Sequence, residues 1–524
     1  MHAPPRSRRR LRTVAALAAT ALATPLLLTA ASPAAAEPHP GKHGEQLARK
    51  LVKRTSAEGA MRHLKVLQAI ARRNDGTRAA GSNGHRMSAL YAGTLLKSAG
   101  YKVTYQNFDF TYVNTLAEKL TVLSPDRHEV PIKLMTYTKS TPVGGIEAAL
   151  AQVPPDDDTG CQAEDFAGGD YTGRIALIKR GSCTFAEKQA NAADAGAVGA
   201  VIYNNVEGDL NGTLVDPDAA RIPTGGVSQA DGEALADALQ QGEVRVNLEI
   251  REQQEQRSTP NVIAETPGGD PHNVVMLGAH LDSVPAGPGI NDNGSGSAAL
   301  LETALQLAKA DKHGRHPNKV RFALWSAEEL GLLGAEHYVS ELSPQQRDDI
   351  ALYLNFDMVA SPNYGLFVYD GDDSDGVGAG PGPKGSAQLE HNIVEFMASQ
   401  GFTTRGTDFD GRSDYGPFIA AGIPSGGTFT GAEGIKTEEE AQLWGGEAGV
   451  AYDPCYHQAC DDLDNVDMTA FEANIDAIAD AVGTYAWDTG SLDAPAPHTA
   501  AARDAKAKSA GAAHSGPHAA RAES

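Results

Sequence analysis

The spacing of hydrophobic residues changes several times along the chain, and each spacing predicts a different kind of element. A helix is predicted at 57–70, because apolar residues recur there at helical spacing: Met61, Leu64, Leu67 and Ile70. A second helix is predicted at 85–98, where Gly100 supplies a C-cap. Alternation of apolar and polar residues then predicts strands at 101–110 and 116–123.

The second half of the chain alternates short apolar runs with helical segments. Strands are predicted at 274–279, 320–325, 352–356, 365–369 and 426–429, and helices at 294–308, 331–340, 386–399 and 469–487. This order predicts an α/β fold, with a mixed and mostly parallel sheet sandwiched between helices. Ligands of such folds bind at the carboxyl ends of the strands. We assign 54–135 and 256–488 to this one domain.

A segment of different texture, 136–255, interrupts that domain. It is rich in turn residues, and it contains short buried strands at 174–179 and 197–203 with a helix at 185–195 between them. Few of its side chains are suited to hydrolysis. We therefore predict a separate β-rich insert.

Both ends of the chain are predicted to lie outside the folded domains. Residues 1–36 combine five arginines, an apolar run at 14–28 and a small-residue cleavage site, which is typical of a secretory signal peptide. Residues 37–53 are polar and are predicted to be a linker or propeptide, and 489–524 a disordered tail. No later stretch is apolar enough to span a bilayer, so we expect a secreted protein that leaves the membrane after signal cleavage.

Charge and cysteine content narrow the partners further. Without the signal, 39 basic residues stand against 67 acidic ones, a net charge of −28. Binding to nucleic acid is therefore not expected. Separately, the protein is expected to be a monomer. The four cysteines favour two disulfides in an exported chain. Short loops favour the pairs Cys161–Cys183 and Cys455–Cys460, and zinc thiolates are the alternative.

Histidine and carboxylate side chains stand where the predicted strands end. His280 ends one strand, Glu328 and Glu329 follow the next strand, and Asp357 follows a third. Asp282, two residues after His280, points the same way and can hold the imidazole of His280 in one tautomer. An acidic N-cap of the following helix is the ordinary alternative for the two glutamates.

Two further candidates lie in loops. The Gly-rich loop 289–296 presents Asp292, whose two oxygens can bridge two metal ions. A phosphate-binding loop is the alternative, but no lysine follows at the Walker spacing. His457 lies in a loop that a Cys455–Cys460 bridge would clamp. Two imidazoles and several carboxylates form a ligand set that suits zinc, and one glutamate is left over to handle a proton.

Taken in order, these segments resemble the secreted bacterial di-zinc aminopeptidases, the bacterial leucyl aminopeptidase family. The matching segments are 278–283, 290–296, 322–331, 355–358, 410–414, 426–432 and 455–461. The resemblance implies the zinc-peptidase fold and two zinc ions per chain. It also implies that His280 and Asp357 hold one zinc, that Glu329 and His457 hold the other, and that Asp292 bridges them.

The same resemblance implies roles for residues that bind no metal. Glu328 is expected to be the general base and acid, and Tyr456 is expected to hydrogen-bond the developing oxyanion. Arg412 lies in the matching segment Gly411-Arg412-Ser413-Asp414 and is expected to contact the substrate.

The insert is similar to a protease-associated (PA) domain. The segments that carry this likeness are 173–178, 180–185, 191–192 and 195–197, with Lys188. The likeness implies a non-catalytic module beside a peptidase active site.

The function expected from these observations is removal of the N-terminal residue from peptides, with a large apolar residue such as Leu preferred. One alternative is a zinc exopeptidase related to the glutamate carboxypeptidases. It would need several arginines for the terminal carboxylate of the substrate, and Arg412 is the only obvious one. A catalytically inactive, receptor-like binding protein is a second alternative. It would lack metal ligands or the base, whereas this chain has them all.

Calcium binding is left open by the same resemblance. Glu472 and Asp476 match acidic positions at which some relatives bind calcium. Arg54 stands where a further carboxylate is expected, and a salt bridge from Arg54 could replace the ion.

Overall fold

The computed structural model describes residues 40–156 and 158–494. The predicted signal peptide and residues 495–524 of the predicted tail lie outside this range. The helices are α1 Pro40–Val52, α2 Ala57–Arg72, α3 Asn83–Ser98, α4 Phe185–Asp194, α5 Gln229–Gln241, α6 Gly296–Ala310, α7 Leu333–Ser340, α8 Pro344–Asp348, α9 Ser386–Ser399, α10 Tyr415–Ala420, α11 Glu438–Trp444 and α12 Met468–Tyr485.

The strands include two that are much longer than the rest. They are β1 Lys102–Ser124, β2 His128–Val130, β3 Lys133–Thr136, β4 Ile146–Gln152, β5 Ile175–Lys179, β6 Gly199–Tyr203, β7 Gly212–Thr213, β8 Thr224–Val227, β9 Arg245–Glu265, β10 Asp270–His280, β11 Asn318–Trp325, β12 Ile350–Phe356, β13 Phe367–Tyr369, β14 Arg405–Thr407 and β15 Ser425–Phe429. The predicted strands 101–110 and 116–123 are one continuous strand, β1.

The main sheet has the order β14-β13-β15-β12-β10-β11-β9, and β1 pairs with β9. Strands β15, β12, β10 and β11 are mutually parallel. At one side of them, β9 pairs antiparallel with β11, and β1 pairs antiparallel with β9. The predicted α/β fold with a mixed, mostly parallel sheet is therefore confirmed. The parallel strands place their carboxyl ends at one edge of the sheet.

Each face of the sheet is covered by helices. Alternate residues of β10 point to opposite faces, since side chains alternate along a strand. Val275 and Leu277 pack in a core with α2, α6 and α12, whereas Val274 and Met276 pack in a second core with α7 and α10. Burial on both faces explains why β10 reads as one continuous apolar run rather than as an alternating pattern.

The insert has its own hydrophobic core, and its first boundary differs from the prediction. Strands β1 and β9 pair antiparallel from Lys102↔Glu265 to Ser124↔Arg245, so they run from the main sheet into the insert. Leu120 and Val122 of β1 pack in the core of the insert with β5, β6 and β8. The predicted limit at 136 is therefore too late, because Leu120 and Val122 are already buried in the core of the insert.

Both terminal assignments also need correction within the described residues. Residues 40–52 of the predicted linker or propeptide form helix α1, whose Leu47 and Leu51 are buried in the core that contains α12. The predicted tail begins later than 489, because Leu492 packs in the same core and Asp493 pairs with Lys384. Polar composition concealed both segments, since each buries only a few side chains.

The structure contains the disulfides Cys161–Cys183 and Cys455–Cys460, as the sequence predicted. Within residues 40–156 and 158–494, no helix has the length and apolar character needed to cross a bilayer.

Candidate metal centre

The candidate residues converge at the carboxyl edge of the main sheet. His280 is the last residue of β10, Asp357 directly follows β12, and Glu328 stands three residues after β11. These three strands are neighbours in the sheet, with β10 in the centre. Parallel pairing therefore brings together side chains that are up to 77 positions apart in the sequence.

His280 lies at the centre of a buried group of carboxylates. Its Nε2 is 3.2 Å from Asp292 Oδ1 and 3.3 Å from Asp357 Oδ1. Neither Nε2 nor Asp357 Oδ1 has a hydrogen-bond partner among the described residues, although both atoms are buried. Burial lowers the pKa of His280, but the charges of Asp357 and Glu328 outweigh it and raise that pKa well above its usual value. The group is arranged to surround a positive charge.

A second group forms around His457 on the other side of Asp292. His457 Nε2 is 3.0 Å from Glu329 Oε2 and 3.2 Å from Asp292 Oδ2. Burial opposes protonation, but these two carboxylates raise the pKa of His457 to about 10. The side chain of His457 is 42% exposed, so this group opens to solvent.

Asp292 belongs to both groups and is held by the loop that follows α11. Its backbone N–H donates to Asp461 Oδ2 at 3.0 Å, and the backbone N–H of Asn291 donates to Asp461 Oδ1 at 2.7 Å. Asn293, joined to Asp292 by a cis peptide, donates to the carbonyl of Phe356 at the end of β12. The loop is therefore fixed at both sides, and each oxygen of Asp292 faces a different histidine.

The adjacent glutamates are separated by a sharp turn of the backbone. Ala327 has a φ of +59°, which ends β11 abruptly before Glu328. Burial raises the pKa of Glu328 well above its usual value, with His280 opposing and Asp357 adding to the shift. Burial and Asp292 raise the pKa of Glu329 to about 7. Placing these carboxyl groups together is costly unless a cation compensates their charge.

The donor atoms fit a divalent metal. In each of the sets His280/Asp292/Asp357 and Asp292/Glu329/His457, one ligand atom per residue can be chosen such that all lie within 4.8 Å of one another. Imidazole nitrogens with carboxylate oxygens suit zinc. Glu328 belongs to neither set. Asp282, which the sequence placed against His280, lies 3.6 Å from its Nδ1, longer than a hydrogen bond, and accepts from the backbone N–H of Glu328 at 3.4 Å.

A cleft of about 580 Å³ opens above these residues. One part of its wall is apolar or aromatic: Leu332, Met358, Phe367, Tyr369, Phe429, Ala432 and Tyr452. Another part is acidic and includes Asp408, Asp410 and Glu433. Among the described residues, Arg412 is the only Arg or Lys in the lining.

Tyr456 and Arg412 meet at the rim of the cleft. Arg412 Nη2 donates to the hydroxyl of Tyr456 at 3.2 Å, and Arg412 Nη1 lies 2.9 Å from Glu433 Oε1. The ring of Tyr456 stacks on His457 with centroids 3.8 Å apart. Arg412 therefore contacts Tyr456 itself, a pairing that the sequence did not predict.

Arg78 is a buried residue whose role the sequence did not predict. It donates to the carbonyls of Leu281, Pro288 and Gly289, and so ties the loop after β10 to the loop of Asp292. Burial lowers its pKa to about 10, although Asp282 and Asp461 act in the opposite direction. A lone arginine before a helix carries no local signal for such a role. Asp461 could have been suspected, because it closes the matching segment 455–461.

The predicted salt bridge from Arg54, which would replace calcium, is not formed among the described residues. Arg54 is exposed, and within the part of the chain that the structure describes it forms no ion pair with Glu472 or Asp476. Glu472 instead accepts from the backbone N–H of Ala57 at 2.5 Å. Calcium binding here stays a prediction.

Comparison with known proteins agrees with this site. Residues 261–482 match the family model of Peptidase family M28, and residues 146–235 match that of the PA domain. The chain is 44% identical over 454 residues to the probable lipoprotein aminopeptidase LpqL of Mycobacterium tuberculosis, covering 86% of this chain and 89% of that protein. It is 46% identical over 415 residues to the probable leucine aminopeptidase 2 of Aspergillus fumigatus, covering 79% of this chain and 80% of the other.

A solved structure shows the same fold. BSAP, a zinc aminopeptidase from Bacillus subtilis, has a TM-score of 0.56 and 27% identity, over 82% of this chain and 94% of that chain. Fold and site together define a zinc-dependent aminopeptidase. The chain belongs to peptidase family M28 and carries a PA domain, which confirms the family resemblance seen in its sequence.

Proposed function

We propose that this aminopeptidase acts outside the cell with two zinc ions, and that it releases N-terminal residues with large apolar side chains, such as Leu. The observation that carries the proposal is the position of Asp292. Its Oδ1 and Oδ2 each lie 3.2 Å from the Nε2 of a different histidine, His280 or His457, at the base of one cleft. One carboxylate between two ligand sets is what a bridged pair of metal ions requires.

His280 and Asp357 would hold one zinc ion, and Glu329 and His457 would hold the other. Zinc at such a site supplies Lewis acidity and brings the pKa of a bound water to about 7. Glu328 takes the proton of the attacking water and returns it to the amine that leaves. Its burial, 9% exposed, favours the protonated form that this second step needs. Asp282 fixes the start of the turn that carries Glu328 by accepting from its backbone N–H.

Tyr456 is proposed to donate a hydrogen bond to the oxyanion of the substrate. Arg412 Nη2 donates to the oxygen of the Tyr456 hydroxyl, so the hydroxyl hydrogen stays available for the substrate. Glu433 holds the other side of the guanidinium. A donor of this type is worth about 3–4 kcal/mol in the transition state. Arg412 is thus proposed to act at the rim of the cleft beside the substrate and through Tyr456.

The charge of the cleft favours a substrate with a free N-terminus. Its acidic wall attracts an α-ammonium group, and it includes Asp408 and Asp410. The one arginine in the described lining is already paired with Glu433. A carboxypeptidase would need free cations there for the terminal carboxylate. An inactive, receptor-like protein is disfavoured because both ligand sets and Glu328 are intact.

The apolar wall supports the side-chain preference. Phe367, Phe429 and Met358 line the cleft and offer contact area for a Leu-sized group. One relative is named as a leucine aminopeptidase.

Export is supported by features of the sequence and the structure. The signal-like residues 1–36 and the two disulfides are typical of exported proteins. One relative is named as a probable lipoprotein aminopeptidase. Peptides are the proposed partners, and the protein is proposed to be a monomer.

A peptide panel with metal control tests this proposal. Chelation should abolish hydrolysis, and activity should return fully at two zinc ions per chain. Peptides that begin with Leu and have a free N-terminus should be cleaved whether or not the C-terminus is amidated. The same peptides with an acetylated N-terminus should not be cleaved. Cleavage of N-acetylated but not C-amidated peptides would instead identify a carboxypeptidase.

A further inference from the structure

A chain of buried hydrogen bonds ends on Asp357, and its other members belong to neither ligand set. Trp325 Nε1 donates to the Tyr353 hydroxyl at 2.8 Å, and Tyr353 donates to Asn355 Oδ1 at 2.9 Å. Asn355 Nδ2 donates to Ser413 Oγ at 2.8 Å, and Ser413 Oγ donates to Asp357 Oδ2 at 2.5 Å. The chain joins β11, β12 and the loop before α10.

The two ends of this chain set the direction of every bond in it. The indole of Trp325 can only donate, and an ionised Asp357 can only accept. Each group between them must therefore accept from one neighbour and donate to the next. Ser413 is left with one role, which is to donate its hydroxyl hydrogen to Asp357 Oδ2.

Burial makes the arrangement stringent. Trp325, Tyr353 and Asn355 have no exposed surface, and Ser413 is 6% exposed. Loss of a partner among the three fully buried members leaves a buried polar group unsatisfied, at about 1–3 kcal/mol. A broken link among these three is therefore not repaired by solvent, whereas Ser413 and Asp357 also line the cleft.

The packing around the chain holds its members in place. The ring of Tyr353 stacks on Phe418 of α10, with centroids 3.8 Å apart and planes within 1°. Gly278 of β10 leaves the space in which Trp325 and Tyr353 meet, because a Cβ there would overlap both polar atoms. Packing by β10 and α10 therefore holds the Trp325–Tyr353 hydrogen bond in place.

The consequence falls on the two oxygens of Asp357. Oδ2 accepts from Ser413, whereas Oδ1 is buried, has no hydrogen-bond partner in the part of the chain that the structure describes and lies 3.3 Å from His280 Nε2. We infer that Ser413, with Tyr353 and Asn355 behind it, is a positioning residue that orients Asp357 so that Oδ1 alone faces the metal. This inference rests on the proposed role of Asp357 as a zinc ligand.

Zinc affinity, rather than activity, tests the inference. Zinc binding by each folded variant is measured by competition with a chromophoric chelator. Ser413→Ala should lower the affinity for one of the two zinc ions by about tenfold or more and leave the affinity for the other unchanged. Tyr353→Phe should lower the affinity for the same zinc ion by a smaller factor. Because both changes act on one bond, the double variant should bind no more weakly than Ser413→Ala.

Tyr338→Phe is the matched control. Tyr338 packs on Trp325 in the same aromatic cluster, but its hydroxyl accepts from Arg321 at 2.6 Å and has no link to Asp357. This variant should bind both ions as the wild type does. Unchanged zinc affinity in Ser413→Ala, additive losses in the double variant, or an equal loss in Tyr338→Phe would each overturn the inference.

Asp357→Ala separates this inference from the proposed function. If Asp357→Ala keeps both ions at wild-type affinity, the proposed ligand assignment fails. If Asp357→Ala loses one ion while Ser413→Ala and Tyr353→Phe do not, the ligand assignment stands and the positioning role fails.

Discussion

At the scale of single residues, two glutamates that are adjacent in sequence have different surroundings. Glu329 lies 3.0 Å from His457, in a ligand set with Asp292. Glu328 lies in neither set and faces the cleft. The left-handed backbone at Ala327, which ends β11, allows neighbouring residues to take such different positions.

This difference predicts opposite outcomes for two matched variants. Glu328→Gln should keep both zinc ions but lower kcat by about 10²–10⁴-fold, because a proton acceptor is lost while the ligands remain. Glu329→Gln should lose one zinc ion. Metal analysis and steady-state kinetics on both proteins check this. Near-normal turnover of Glu328→Gln would show that another group is the base.

A residue-scale pH effect is expected at Glu390 of α9. Burial, with Asp370 and Asp372 adding to it, raises the pKa of Glu390 from 4.5 to about 8. The folded protein therefore binds the proton more tightly than the unfolded chain does. The stability that this contributes is fully present below about pH 4.5 and is lost as the pH rises to about 8.

Glu390→Gln cannot ionise, so the variant does not lose stability as the pH rises. The backbone N–H of Gly371 donates to Glu390 Oε2 at 2.8 Å in the wild type, and the amide oxygen of Gln can still accept this bond. The variant should melt higher than the wild type at about pH 9 and equally at about pH 4. Thermal unfolding across this range checks the prediction. Glu395→Gln on the same helix, where the side chain is 76% exposed, is the control and should show no such trend. A variant that is less stable than the wild type at about pH 9 would contradict the account.

At the scale of elements, the loop 455–460 carries two proposed functional groups within one small disulfide ring. Tyr456 and His457 lie between Cys455 and Cys460, and His457 has a φ of +57°. A loop this short does not fix its own conformation without a constraint. Catalytic groups tolerate only about 0.5 Å of displacement.

Replacing Cys455 and Cys460 together by Ser should therefore lower kcat and weaken zinc binding, with little effect on the melting temperature. The sequence separation of this bridge is only 5, so it restricts the unfolded chain little. Replacing Cys161 and Cys183, which are 22 positions apart, should do the reverse: lower the melting temperature and leave zinc bound. Full activity and metal content after loss of Cys455–Cys460 would rule out this role for the bridge.

At the scale of the whole molecule, the insert is attached through one antiparallel ribbon. Strands β1 and β9 pair along their full length, and every residue lining the cleft lies between Asp292 and His457. The described residues of the insert therefore contribute no side chain to the cleft. Its removal should leave the chemistry intact if the ribbon is closed correctly.

Replacing residues 113–254 by an Asn-Gly turn joins Tyr112 to its partner Glu255 as a hairpin. This protein should bind zinc and cleave a dipeptide-sized substrate at near wild-type kcat. Deleting 137–252 instead should cause aggregation, because Leu120 and Val122 would remain without their core. Loss of zinc from a folded hairpin variant would show that the insert supports the metal centre.

Local patterns in the sequence determined much of this protein. A helix buried on one face shows apolar residues with a period of about 3.6, and a strand buried on one face shows a period of 2. A strand buried on both faces shows a continuous apolar run. These patterns allowed α9 and most strands of the main sheet to be predicted. Ligand candidates stood out because charged residues directly followed apolar strands. Disulfide partners could be predicted because each bridge closes a short loop.

The tertiary structure alone decided which distant groups support the site. Arg78 donates to Gly289, which is 211 positions away, and Ser413 reaches Asp357 across 56 positions. The tertiary structure also placed Leu120 and Val122 in the core of the insert and packed α1 against α12. Such contacts leave no local period, because they depend on the register and the order of the strands that bring the partners together.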